Sequence, residues 1–288
     1  MKIKIASRSS KLALKQVEEF NKTFLIKEYD LIKTSTRGDE LSAKGETLFD
    51  KGNFVSDIEK LILNDSVDVA IHSAKDMPAK KTKGLKHLYF IENSERKVKD
   101  LLIFRKDTEP NFKNEMKLGT SSLRRKMQAK FHMNATNIEP LNGNIDTRLK
   151  KLNDGQYDCI ILAEAGLSRL DFLIQNQNYK RLDHRTCSGQ GVLAVQWKEG
   201  NAAESIIKSS QIYKDMTNLN KEINMERELL VKLNADCNSA ISLLASENYL
   251  SGEIYGVENF ISFSGNDINE ILEDIHKKNG IKLLHEHN

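Results

Sequence analysis

The sequence predicts an α/β protein with two α/β domains facing each other across a cleft and a small α+β domain after them. Three observations carry this reading. Strand-like and helix-like segments alternate through the first half, the rhythm of βαβ units. A helix–turn–strand passage over Leu63–Asp68 has an echo over Leu152–Asp158, and each leads into an apolar run. From about Asn218 the pattern changes to one long amphipathic helix and then to strand-like alternation. A chain of 288 residues is also longer than one typical domain.

Each element follows from local pattern. Lys2 to Ser7 alternates as a strand. Lys11 to Tyr29 is helical, with Leu12, Val17, Phe20 and Phe24 on one broad face. Tyr29 to Thr36 is a second strand. Asp57 to Leu63 has helical apolar spacing and leads into Val67–His72, a short apolar run of the kind buried in a parallel sheet. Leu101 to Phe104 and Cys159 to Ala163 are further buried strands, and Val192 to Trp197 is another apolar run. Leu219, Ile223, Glu226, Leu230 and Leu233 mark the long helix. Ile241 to Tyr255 and Phe260 to Phe263 alternate like antiparallel strands. Ile268, Ile271, Leu272 and Ile275 form a last helix, with Gly280 as its stop.

Composition narrows the function classes. Hydrophobic residues make up 39% and charged residues 30%, which suits a soluble protein. No apolar run approaches the ~20 residues of a membrane span. The N-terminal Met1–Ala6 enters alternation directly, without the long apolar stretch of a signal peptide. Three cysteines, an odd number, do not suggest a disulfide framework. The expectation is a cytoplasmic enzyme. A net charge of +3 is too balanced to predict nucleic-acid binding. Metal-binding spacings such as CxxC and HExxH are absent, as are a P-loop and GxGxxG, so no metal site is expected.

The chemistry concentrates where strands end. His72-Ser73-Ala74-Lys75-Asp76-Met77-Pro78 follows an apolar strand, and ligands in open α/β sheets bind beyond strand carboxyl ends. Lys75 and Asp76 would there set a cation and an acid/base beside a substrate. The segment equally fits an Asp76 that caps the next helix and a solvated Lys75. Gly119-Thr120-Ser121-Ser122-Leu123-Arg124-Arg125 opens a helix through Gln128 and Phe131. Two arginines in a first turn oppose the helix dipole, and an anionic ligand gives them a reason. Asn142–Arg148 is a second such turn, and Arg8 with Ser9 and Ser10 a third. Arg169 follows the strand ending at Ala163, and Arg37 lies in Thr36–Asp39. Basic loops in both α/β domains predict a polyanion between them, held by guanidinium forks. Cys159 reads as inert core. Spacing alone does not choose between the loop cysteines Cys187 and Cys237.

In family order, these motifs closely resemble the hydroxymethylbilane synthase (porphobilinogen deaminase) family. The carrying segments are Ala6–Ser10 with Leu12–Leu14, Thr36–Asp39, His72–Pro78, Gly119–Arg125, Gly143-Asn144 with Thr147–Leu149, Ile161–Leu167, Gly189–Gly191, and Glu226-Arg227 with Cys237. They span almost the entire chain. The resemblance implies domain 1 over 1–93 with 190–213, domain 2 over 97–186, and an α+β domain over 218–288. It implies a transferase that condenses four porphobilinogen units with loss of ammonia. The primer would be a dipyrromethane cofactor in thioether linkage to Cys237.

The same resemblance implies roles for single residues. Asp76 maps onto the catalytic carboxylate, which would hold pyrrole N–H groups and stabilise the azafulvene cation. Ser73, Lys75, Ser122, Arg124, Arg125, Asn144 and Arg148 map onto cofactor-binding positions. Arg8, Ser10, Arg169 and Gln190 map onto substrate-binding positions, and Lys51 and Phe54 onto a loop over the cleft. A monomer is expected, with transient handover of product to a downstream cyclase and no nucleic-acid or membrane partner.

Four positions depart from the family pattern. Asn142 stands where Arg is usual, Ala235-Asp236 where Gly-Gly is, Lys11 where Pro is, and Lys99 where Arg precedes Asp100. A catalytically impaired homologue is one alternative these departures raise. Another is a non-catalytic small-polyanion binder, because the paired domains resemble periplasmic binding proteins in architecture.

Overall fold

A computed structural model describes residues 2–34, 53–92, 95–172, 178–236 and 238–287, without the side chains of residues 53 and 54. The first unit runs β1 (Ile3–Arg8), α1 (Lys11–Thr23), β2 (Tyr29–Thr34), α2 (Asn53–Leu63), β3 (Val69–Ser73) and β4 (Leu85–Phe90). Helix α1 is shorter than its apolar spacing suggests. It ends at Phe24, and Leu25 takes a left-handed φ of 56°. The second unit runs β5 (Asp100–Phe104), β6 (Leu118–Gly119), α3 (Leu123–Met133), β7 (Ile138–Glu139), α4 (Ile145–Asn153), β8 (Cys159–Ala163), α5 (Glu164–Arg169) and β9 (Tyr179–Leu182). The chain then returns to the first sheet through β10 (Leu193–Lys198) and continues in α6 (Ala202–Ser209) and α7 (Gln211–Asp215).

Two five-stranded sheets have equivalent orders, β2-β1-β3-β10-β4 and β7-β6-β8-β5-β9. Both are mixed, which corrects the purely parallel expectation. Strand β10 enters antiparallel to β3 and β4, and β5 runs antiparallel to β8 and β9. The partners of β10 lie about a hundred residues earlier, so no local pattern could place it.

The echo in the sequence is a repeated device. Asp68 accepts a hydrogen bond from Lys4 N at 2.8 Å and donates its own N–H to Lys4 O at 2.9 Å. Asp158 does the same with Lys117, at 2.9 Å both ways. Each aspartate pins its strand to the neighbour before it.

The third unit is an α+β layer. Helix α8 (Thr217–Lys232) leads to the antiparallel strands β11 (Ile241–Ser246), β12 (Tyr249–Tyr255) and β13 (Phe260–Gly265), then to α9 (Ile268–Lys277) and α10 (Gly280–His285). Its core joins Leu229, Leu230 and Leu233 to Leu243, Leu250, Ile254, Ile271 and Ile275. Gly280 does not stop the last long helix as expected. Helix α9 is capped at Lys278, Asn279 turns left-handed at φ 60°, and Gly280 begins α10. A Cβ at Gly280 would meet Ile261 Cδ1 at 2.5 Å, so close packing explains the glycine.

Candidate active site

A cavity of about 550 Å³ lies between the two mixed sheets, and the carboxyl ends of β1, β3 and β8 supply much of its wall. Its described lining carries six basic residues, Arg8, Lys11, Lys75, Arg124, Arg125 and Arg148, against the two carboxylates Asp76 and Asp146. Asp146 forms a 3.2 Å ion pair with the exposed Lys11. Asp76 is therefore the acid facing a largely cationic interior. It stands on a single 3₁₀ turn, Ala74–Asp76, directly after β3. The expected helix after Asp76 is absent, because Pro78 follows and Met77 is already extended.

The loop 187–191 closes the floor. Gly189 has φ 70°, and a Cβ there would sit 2.8 Å from Lys75 N; Gly191 has φ 82°, and a Cβ would sit 2.4 Å from Lys97 O. Only glycine permits these approaches. Gly189 thereby seats the turn bearing Asp76, and Gly191 packs the same loop on the segment before β5. Between the glycines, fully buried Gln190 donates from Nε2 to Val98 O at 2.8 Å and to Asp100 Oδ1 at 2.9 Å.

Asp100 is the hub that sequence reading missed as a site residue. Arg124 Nη2 donates to Asp100 Oδ2 at 2.9 Å, and Arg125 donates from Nε at 3.1 Å and from Nη2 at 2.7 Å. Arg124 also reaches Gln128 Oε1 at 2.7 Å, and Arg125 reaches Ile161 O at 3.3 Å. The two first-turn arginines therefore owe their place to an internal aspartate as well as to any ligand. Burial alone would raise the Asp100 carboxyl, but Arg125 and Arg124 outweigh it and hold it well below the usual carboxylate range. The signal available was an acid opening the apolar strand Asp100–Phe104.

The other basic groups feel the cavity. Burial and the nearby Arg125 push Arg148 down to about 10, opposed by Asp76. Burial likewise lowers Lys75, against the pull of Asp76. Beneath them, buried His72 is pushed down to about 4, chiefly by desolvation. Gly143, at φ 110°, aims its carbonyl at Arg148 Nε, 2.6 Å away. Ser122 and Asn144 stand at helix N-cap positions, yet neither side chain makes a capping bond. Both line the cavity. Ser10 does cap α1, accepting from Ala13 N at 3.3 Å, and Ser73 accepts from Gln16 Nε2 at 2.8 Å.

These features have counterparts among known proteins. Residues 3–205 match the family described as "Porphobilinogen deaminase, dipyromethane cofactor binding domain". The porphobilinogen deaminase of Streptococcus sanguinis is 35% identical, with 94% of this chain and 93% of that protein covered. That of Helicobacter acinonychis is 35% identical over 85% and 80% respectively.

The chain belongs to the porphobilinogen deaminase family.

Family membership leaves the alternative of a non-catalytic polyanion binder without support. Among solved structures, an arginine-specific periplasmic binding protein of Salmonella typhimurium matches at 12% identity and a TM-score of 0.40, covering 75% of this chain and 96% of that one. A likeness at that level adds nothing to the topology.

Of the residues that the deaminase resemblance singled out, eleven line the one cavity: Arg8, Ser10, Ser73, Lys75, Asp76, Ser122, Arg124, Arg125, Asn144, Arg148 and Gln190. Arg169 is not among them. Its guanidinium is held by Glu19 of α1, with Nε 2.7 Å from Oε2, and by Gly191 O at 3.3 Å. Glu19 lies on the buried face of α1 among apolar neighbours, so the pair ties the first unit to the second instead of facing the cavity. Arg37, Lys51, Cys237 and the side chain of Phe54 lie outside the described residues. Asn238, next to Cys237, lines the cavity. Cys159 is fully buried, and its thiol is pushed up to about 12 by burial and Asp158, as an inert core residue should be. Cys187 lines the cavity and contacts Gln190 Oε1 at 3.7 Å.

Two more residues hold the site together in ways the sequence reading did not assign. Glu226, fully buried, accepts from Arg96 Nη1 at 2.8 Å, Gly189 N at 2.9 Å and Ala245 N at 3.1 Å. Gln16 holds Ser73. Both are polar residues on otherwise apolar helix faces, a pattern that does not by itself separate core pairing from function.

Proposed function

We propose that this chain is a hydroxymethylbilane synthase. It condenses four porphobilinogen units head to tail, releases ammonia at each step, and yields the linear tetrapyrrole of porphyrin and heme biosynthesis. The observation that carries the reading is the cationic cavity between the two sheets containing Asp76 in a chain that matches the family over residues 3–205. The product bears several carboxylates, so a wall of arginine and lysine around one acid suits it.

The residues fit a dipyrromethane cofactor: cations for its carboxylates, Asp76 for its pyrrole N–H groups, and a loop bearing Cys237 whose neighbour Asn238 reaches the cavity wall. When bound, the cofactor supplies the nucleophilic pyrrole position from which the chain grows. Cys237 anchors it, and Ser73, Lys75, Ser122, Arg124, Arg125, Asn144 and Arg148 hold it. Arg8 and Ser10 serve the incoming substrate, whereas Gln190, whose amide is spent on Val98 O and Asp100, supports the site from behind. Arg124 and Arg125 keep their forks aimed because Asp100 and Gln190 brace them from below. Asp76 accepts pyrrole N–H at its Oδ atoms and faces the positive charge that develops on the methylene-pyrrole as the C–N bond breaks and ammonia leaves. The same oxygens hold the proton passed to departing ammonia. Arg169 acts at the junction of the units through Glu19, and the backbone of Phe54 falls in the first turn of α2 rather than in a loop.

In this reading the units are 1–93 with 190–213, 97–186, and 218–288. The protein works as a cytoplasmic monomer and hands its unstable product to a cyclase. The test is turnover of porphobilinogen with cysteine variants. Cys237→Ser should lose both the covalent dipyrrole and ammonia release, whereas Cys159→Ser and Cys187→Ser should keep both. Turnover by the Cys237→Ser protein would refute the anchor.

A further inference from the structure

Arg227 lies on α8, the helix that runs into the Cys237 loop, yet it points into the first unit. Nη1 donates to the carbonyls of Met77, at 3.3 Å, and Pro78. Nη2 donates to those of Ala74 and Met77, the latter also at 3.3 Å. These carbonyls belong to the turn that carries Lys75 and Asp76. The guanidinium carbon also lies 5.4 Å from the centre of the Tyr89 ring on β4. The residue is 5% exposed, and among the described residues no carboxylate pairs with it. Its neighbour Glu226 turns the opposite way and fixes α8 to Arg96, Gly189 and Ala245.

A buried guanidinium without a counter-ion is costly, and an apolar side chain of similar length would commonly serve stability as well or better. What an apolar residue cannot do is gather three carbonyls of one short turn. A 3₁₀ turn leaves such groups without helical partners, and here the one turn bond is Met77 N–H to Ala74 O at 3.1 Å. The planar fork of arginine matches this task, and a lysine ammonium does so only in part.

We propose that Arg227 is a positioning residue, which sets the turn bearing Asp76 in register with the loop that anchors the cofactor. One side chain thereby links the acid of the first unit to the covalent anchor of the third. This rests on the function proposed above. Misplacing a reacting group by about 1 Å costs as much as a hundredfold in rate.

The experiment compares full-length wild type with Arg227→Met and Arg227→Lys. Intact mass gives the fraction of each that carries the dipyrrole, and kcat is expressed per adduct-bearing molecule. For Arg227→Met the expected kcat on this basis is lower by about thirtyfold or more, with KM for porphobilinogen within about threefold of wild type. Arg227→Lys should recover part of the loss. Hydrogen–deuterium exchange over residues 74–78 should rise in Arg227→Met, without a comparable rise in β10. A merely structural arginine would change yield and melting temperature but not kcat per loaded molecule. Unchanged kcat on that basis in the variants would overturn the proposal. If Arg227→Met does not fold, the same ratio for Arg227→Lys decides. A wild type without adduct or turnover would instead overturn the proposed function, which keeps the two failures distinct.

Discussion

Asp76 stands among six cavity cations and belongs to a turn fixed by Gly189 on one side and Arg227 on the other. Asp76→Asn preserves its shape and removes its charge. Turnover should fall about a hundredfold or more, by analogy with the loss of one oriented electrostatic group, while the melting temperature stays close to wild type. Near-normal turnover by that variant would remove Asp76 from the chemistry. Asn142 offers a different test. The family pattern has arginine there, and a lost charge-assisted hydrogen bond is worth about 1.5–3 kcal/mol, or roughly ten- to a hundredfold. Lys151 lies close, with Nζ 3.3 Å from Asn142 O, and lends charge to the same edge. We expect a slow enzyme that stalls as enzyme–intermediate complexes. Asn142→Arg should speed elongation and reduce stalling, followed step by step by mass spectrometry. Unchanged kinetics would mean that another group already supplies the contact. At this scale the sequence revealed which residues are basic and near strand ends. It did not reveal what each is paired with. Arg124 and Arg125 are braced by Asp100, and Arg169 is spent on Glu19, because those partners lie 24 or more positions away in the chain.

At the scale of elements, apolar runs of five or six residues were legible as strands, and Ser10 and Ser122 as helix starts. The return of β10 to the first sheet was legible only through the family resemblance, which groups 190–213 with 1–93, and not from local pattern, since its neighbours β3 and β4 precede it by a whole intervening unit. The same elements predict an acid sensitivity. His72 on β3 is folded away neutral, with its pKa pushed down from 6.5 to about 4. The unfolded chain therefore binds its proton more readily. Stability is complete above about pH 6.5 and is lost as the pH falls toward 4, by up to about 3 kcal/mol from this group. His87 on β4, pushed down to about 3 mainly by burial, acts with the same sign. Asp100 on β5 adds a loss at still lower pH, because its depressed pKa stabilises the fold only while the unfolded carboxyl is ionised. Urea unfolding at pH 7 and pH 4.5 should show this drop, and His72→Asn should shrink it. Equal stability at the two pH values would contradict the buried neutral histidine.

For the whole molecule, the decisive arrangement is the meeting of three units around one acid. The first brings Asp76, the second brings the arginines of α3 and α4, and the third brings Arg227 and Asn238. Periodicity predicted the three units, and ordered motifs predicted their family, but only the folded chain joins Glu226 to Gly189 and Arg227 to Met77. The central claim is that this assembly builds on a covalent dipyrrole. Intact-mass spectrometry of the purified wild-type protein tests it most directly, before and after addition of porphobilinogen. The account predicts an adduct of two linked pyrroles at rest, absent in Cys237→Ser, and a ladder of heavier species as further pyrrole units are added. A wild-type protein at its bare polypeptide mass, with no ladder after porphobilinogen, would contradict it.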